Sequence, residues 1–170
     1  MSAFVKSIDR SHLVEVGDEG FFYRRYSCNH LYDGRHGVDT EAILQLPDID
    51  FGTYHLYPLA WGRDDRGFGL RWIRQHARVA RRIGKPMLLE EYGLPIGKGF
   101  VRDSTDRDVV YAEWVHAAAE GGPGSLFWML AGLESDGQRF RHPDPYCLFA
   151  ASEVPRMVAQ ARDLRGAALA

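Results

Sequence analysis

Apolar positions along the chain switch between two periods. Short runs suit strands, and longer stretches repeat at three and four. Residues 3–8 read as the end of an amphipathic helix, and 13–17 (Leu-Val-Glu-Val-Gly) as a β-branched run of strand length. Residues 18–37 are polar and aromatic with no clear period, long for a connection in a compact domain. A short helix is predicted from Thr40 to Leu46, stopped by Pro47, and a strand over 51–57, closed by Pro58. The next helix, 70–83, carries Ile73, Ala77, Ala80 and Ile83 on one stripe; Gly84 suits its C-terminal turn, with Pro86 just beyond. Further strands are predicted over 87–92 and 125–130. Between them lies a helix capped by Ser104 or Thr105 and running to Gly121. A loop reaches about residue 150, and Ser152 opens a last helix through Met157, Ala161 and Leu164. Strand–helix units repeated about four times predict an α/β fold with a parallel sheet. The polar and aromatic residues Glu19, His55, Tyr57, Glu91 and Trp128 fall at C-terminal strand ends, where parallel architectures place their chemistry.

Composition narrows the class. The 170 residues, 45% hydrophobic and 26% charged, give room for one ordinary domain, taken as 1–170, and exclude a disordered or collagen-like chain. A net charge of -2 argues against a phosphate-driven nucleic-acid partner. No apolar run reaches the ~20 residues of a membrane span, and the first residues lack the apolar core of a signal peptide. Two cysteines, Cys28 and Cys147, are too few for a disulfide framework, and their spacing leaves a single bridge open.

Chemistry concentrates in three places. Glu90 and Glu91 end an apolar strand, where adjacent acids need water, a partner or a ligand. Alternation puts Glu91 on the face of Met87 and Leu89, and Glu90 on that of Leu88. One acid then points into a site while the other meets helix-side donors; two solvated acids are the other reading. His55 and Tyr57 share a face above Thr53, suited to holding a carboxylate and a sugar hydroxyl, or to simple burial. Trp128 offers a flat wall for a sugar ring, or a core side chain. Cys28, His30 and His36 lack an evident fourth zinc ligand. Gly121 to Gly124 precede a strand instead of opening a helix, so they are a turn, and Arg78, Arg81 and Arg82 read as a solvated face.

Three segments, Asp50-Phe51-Gly52-Thr53-Tyr54-His55-Leu56-Tyr57-Pro58, Gly84-Lys85-Pro86-Met87-Leu88-Leu89-Glu90-Glu91-Tyr92-Gly93 and Ser125-Leu126-Phe127-Trp128-Met129, resemble glycoside hydrolase family 5, and within it the endo-β-1,4-mannanases. Residues 4–9 and 12–21 carry the same likeness. The resemblance implies a (β/α)₈ TIM-barrel fold, represented by a half-barrel of about strands five to eight, the C-terminal half of the family's enzyme. It implies retaining hydrolysis of β-1,4-mannosidic bonds in mannan-type polysaccharides, with no cofactor and no metal. It casts Glu91 as nucleophile, and His55, Tyr57, Trp128, Glu19 and Trp61 as substrate-binding residues. The family's acid/base glutamate follows an asparagine, and the only asparagine here, Asn29, is followed by His30. A non-catalytic carbohydrate-binding half-barrel, an inactive fragment and a β-1,4-glucanase of the same family therefore stand as alternatives. A half-barrel would expose the inner-face residues Met87, Leu89 and Leu126, and would pair with a complementary N-terminal half-barrel or a second copy of itself. Secretion is the expectation that the resemblance carries.

Overall fold

A computed structural model of the chain describes residues 1–138 and 144–168, with side chains through 162. Its elements run α1 (Ser2–Ile8), α2 (Thr40–Leu44), β1 (Gly52–Leu56), α3 (Phe68–Ile83), β2 (Met87–Tyr92), α4 (Ser104–Gly121), β3 (Leu130–Ala131), β4 (Leu148–Phe149) and α5 (Val154–Ala168).

The helices form where the period demands, but their ends are set by carboxylates. Asp39 caps α2 through the amide of Ala42. Asp103, not Ser104 or Thr105, caps α4: one oxygen accepts from Thr105 N at 2.8 Å and Asp106 N at 3.0 Å. α3 begins two residues before its predicted start, and Gly84 closes it in the left-handed conformation that glycine adopts without strain. Its buried face carries Ile73, Ala77 and Ala80 as the stripe predicts, widened by Trp72, His76 and Val79. α5 starts at Val154, two residues after Ser152; the side chain of Leu164 and residues 139–143 of the preceding loop lie outside the described residues.

Among the described residues the expected half-barrel does not form. Instead, β1 pairs in parallel with β2, β3 pairs in parallel with β4, and the two pairs are separate two-stranded sheets. Residues 13–17 meet their neighbours without a regular ladder. Asp50 N donates to Val14 O at 2.8 Å, the Asp50 carboxylate accepts from Val14 N, and Thr53 Oγ1 lies 3.1 Å from Val16 O. The predicted strand 125–130 is divided. Ser125 bridges Leu89, and Leu126 N and Trp128 N donate to Leu89 O and Tyr92 O, but Leu130 and Ala131 turn to Leu148 and Phe149. The complementary half-barrel partner loses its basis with the half-barrel. Met87 and Leu89, expected on an unwalled face, are buried; Leu126 is exposed.

Large aromatics fill the core between α3, α4 and the β1–β2 pair. Trp72, Trp114, Tyr92 and Tyr111 are each at most 1% exposed. Burying such side chains contributes about 1.5–3 kcal/mol apiece. Among the described residues no helix is long and apolar enough to cross a membrane. Cys28 and Cys147 are both free thiols, which settles the question of a bridge.

α5 is held on α4 by charges as well as by Met157. Arg107, 1% exposed, donates to Glu153 Oε1 at 2.5 Å, and Arg156 pairs with the buried Asp108. The other Glu153 oxygen accepts from Phe149 N at 2.9 Å, which ties β4 to the same group. Removing one partner strands a buried charge, whereas replacing both with apolar groups does not. Glu153→Ala should therefore lower the unfolding free energy in urea by about 3 kcal/mol. The pair Arg107→Met with Glu153→Leu should cost clearly less than Glu153→Ala alone.

Candidate active site

The site rests on an irregularity in the β1–β2 ladder. Tyr54 faces Leu89, but the next residue, His55, faces Glu91, so Glu90 is passed over. One extra residue in a strand breaks the strict alternation of faces. The burial of β2 shows it: Leu89 and Tyr92 are buried, with two partly exposed acids between them. The simple assignment of Glu90 to helix-side donors is therefore corrected. His55 Nε2 lies 3.4 Å from Glu90 Oε2, and His55 Nδ1 lies 3.7 Å from Glu91 Oε2 and 3.6 Å from Glu19 Oε1. His55 thus sits among three carboxylates. α3 fixes its backbone, because the buried indole of Trp72 donates to His55 O at 2.9 Å.

Tyr57, two residues on, donates its hydroxyl to Glu91 Oε2 at 2.8 Å. Burial, then the bond to Glu91, pushes the phenol well above its ordinary range, so it remains the donor at any working pH. Its ring meets Tyr146 edge-on at 5.2 Å. Gly93 makes room for both: a Cβ there would lie 2.7 Å from Tyr146 and 2.8 Å from Tyr57.

Glu19 is delivered by the turn Asp18–Gly20. The Asp18 carboxylate accepts from Gly20 N at 2.6 Å, and Gly20 takes a φ of 78° in a space where a Cβ would strike Tyr54. Trp61 stands at the rim of an open cleft of about 390 Å³ shared with Glu19, Phe21, His30, His36 and Ala60, and its ring packs on Phe21 and Trp72. Trp128 is 40% exposed, and its indole donates to Asp144 Oδ2 at 2.7 Å. Its route to the other residues runs through Asp144 and Tyr146. Among the described residues, no group of three or more His, Cys, Asp or Glu is arranged to hold a metal ion.

Negative charge dominates. Burial, then Glu90, raises the Glu15 carboxyl, whose Oε2 accepts from Thr53 at 3.2 Å; burial lifts Asp18 to about 6. For His55, burial pulls downward, but Glu19, Glu91 and Glu90 outweigh it and its pKa ends above the ordinary 6.5. The site can therefore hold one imidazolium among carboxylates, point a phenol at one of them, and offer that carboxylate's other oxygen to a ligand. Sequence reasoning missed Glu15, Asp18, Asp144 and Tyr146. For Asp144 the signal was an Asp-Pro-Tyr step in a long loop, a turn former beside an aromatic.

The sign of the His55 shift fixes a pH dependence. Its contribution to stability is complete below 6.5 and is lost as pH rises through the folded-state value. Glu19→Gln removes the first of the attractive carboxylates. The His55 ring signal, followed by NMR against pH, should titrate lower in Glu19→Gln than in the native chain. An unchanged midpoint would mean that Glu19 does not act on His55.

With this geometry in view, known proteins supply its context. A family model described as GH family 5 beta-mannosidase-like matches residues 1–142. Mannan endo-1,4-beta-mannosidase A of Podospora anserina is 36% identical over 158 residues, 91% of this chain and 39% of the relative. The protein of the same name from Aspergillus aculeatus is 38% identical over 81% of this chain and 34% of its own length. The solved endo-beta-1,4-mannanase from Thermotoga petrophila superposes with a TM-score of 0.77 at 33% identity, covering 95% of this chain and 37% of that one. The likeness takes in nearly the whole chain, and the chain spans about two fifths of those relatives. That corrects its description as the C-terminal half of the family: the shared part is less than half of each, and the likeness is not confined to one part of this chain. With 142 of its residues matched by the family model, the chain belongs to the GH family 5 beta-mannosidase-like group of glycoside hydrolases.

Proposed function

We propose that the chain serves retaining hydrolysis of β-1,4-mannosidic bonds in mannan-type polysaccharides, with Glu91 as the nucleophile. The observation that carries this reading is the 2.8 Å bond from Tyr57 to Glu91 Oε2, beside a histidine set among carboxylates. The phenol holds one oxygen, so the other is oriented for attack on the anomeric carbon. The bond from that carbon to the leaving oxygen breaks as the ester to Glu91 forms; with the family's asparagine–glutamate pair absent from this sequence, the leaving oxygen takes its proton from solvent water. Water then attacks the same carbon from the face opposite Glu91 and gives up a proton to solvent as the ester bond breaks, which retains the configuration. His55 offsets the charge of Glu19, Glu90 and Glu91 between turnovers. Trp128 and Trp61 supply flat apolar surface for sugar rings, and Glu19 accepts from a hydroxyl. A polymeric substrate of this kind is met outside the cell, so export is part of the reading.

A mannoside with a fluorine at C2 and a dinitrophenolate leaving group isolates the nucleophilic step, because so weak a base departs with little protonation. Incubated with the chain, it should add one fluoromannosyl mass, mapped to the peptide that contains Glu91. Glu91→Ala should abolish the label, and Tyr57→Phe should slow labelling about tenfold, the worth of one hydrogen bond to a charged group. A folded chain that takes no label, or takes it at Glu90, would refute the assignment.

A further inference from the structure

We propose that Asp144 is a positioning residue that sets Trp128 and, through Tyr146, the Tyr57 phenol against Glu91. The proposal deepens the reading of Glu91 as nucleophile and rests on it. Asp144 uses both carboxylate oxygens. Oδ2 accepts from Trp128 Nε1 at 2.7 Å, and Oδ1 accepts from Tyr146 N at 2.8 Å. The first bond holds an indole that is 40% exposed and would otherwise turn about its side-chain torsions. The backbone end of the same residue is already fixed, since Trp128 N donates to Tyr92 O at 2.9 Å. The ring is therefore held at both ends, by β2 and by Asp144.

The second bond closes a turn that presents the Tyr146 ring to Tyr57, centroid to centroid 5.2 Å at 64°. Gly93 lets the two rings approach, and Tyr57 in turn donates to Glu91. The negative charge of Asp144 also favours the protonated phenol, which must donate to do its work. One carboxylate thus sets two distances together: that of the flat sugar-facing wall, and that of the phenol that orients the nucleophile. Asp144 touches no reacting atom in this arrangement. Its effect on a ligand runs through Trp128 and Tyr57.

The test starts without any sugar. In a nitrogen-labelled full-length chain, the Trp128 indole N–H signal is assigned by its loss in Trp128→Phe. Asp144→Ala should shift that signal upfield in the proton dimension and speed its exchange with water, with the circular dichroism spectrum unchanged. If Asp144→Ala does not fold, Asp144→Asn, which keeps the size and one acceptor oxygen, should give an intermediate shift. An indole signal unmoved in the folded variants overturns the proposal. Titration with mannotetraose then separates positioning from general destabilisation. Asp144→Ala should weaken binding about tenfold in the native background, and clearly less when Trp128 is already Phe, the remainder being the part that runs through Tyr146 and Tyr57. Equal losses in both backgrounds also overturn it. A native chain that neither binds mannotetraose nor takes the fluoromannosyl label would fail the functional reading above, and the indole signal would still decide whether Asp144 holds Trp128.

Discussion

One register shift governs the site. If the β1–β2 ladder stayed regular, His55 would face Glu90, and Glu91 would sit one step further on. Because the ladder slips between Tyr54 and His55, the imidazole lies between both acids, and Tyr57 reaches Glu91. Placing like charges so close is costly unless a cation lies between them. His55 is the group placed to carry that charge, since the carboxylates raise its proton affinity against the pull of burial. Trp72, on the buried face of α3, donates to His55 O and so fixes the backbone at the slip. Core and chemistry thus share a residue.

The parts of the fold legible in the sequence are those with a strong period and clear punctuation. α3 has its stripe and its Gly84 terminus, and β2 has an apolar run between Pro86 and two acids. What was hidden depends on partners remote in sequence. Residues 13–17 look like a strand by composition, but Asp50 and Thr53 occupy their backbone groups. Leu148–Phe149 becomes a strand only because Leu130–Ala131 lies beside it; two residues carry no period. The cap of α4 was misplaced by one residue, since Asp103 precedes two hydroxyls that are good caps themselves.

The site divides along the same line. The proximity of Tyr57 and Glu91 could be anticipated from alternation and strand ends. The contact of His55 with Glu90 could not, because a slip is a property of two strands and not of either one. Of the residues to which the family likeness pointed, Glu19, Tyr57 and Glu91 lie around His55, while Trp128 and Trp61 stand apart from it; the likeness also implied a barrel that the described strands do not form. Asp144 was missed for another reason. Its partners, Trp128 and Tyr146, lie on either side of it in the chain, and only the folded loop shows that one side chain serves both.

His76 carries a consequence of its own. Its ring is wholly buried, stacked on Tyr54 at 4.0 Å, and faces two carbonyl oxygens: Trp72 O at 2.9 Å and Gly20 O at 2.8 Å. Burial lowers its pKa to about 4, so it is neutral under ordinary conditions and owns a single N–H. One nitrogen must therefore present a lone pair to an oxygen. Trp72 O already accepts within the helix, which leaves Gly20 O as the acceptor in need of a proton. The tautomer with its hydrogen on Nε2 is the one that supplies it. The loop that delivers Glu19 is tied to α3 by this contact and to β1 by the amide of His55, which donates to Glu19 O at 3.4 Å, so the acidic rim of the cleft is anchored in part by a group with no charge of its own.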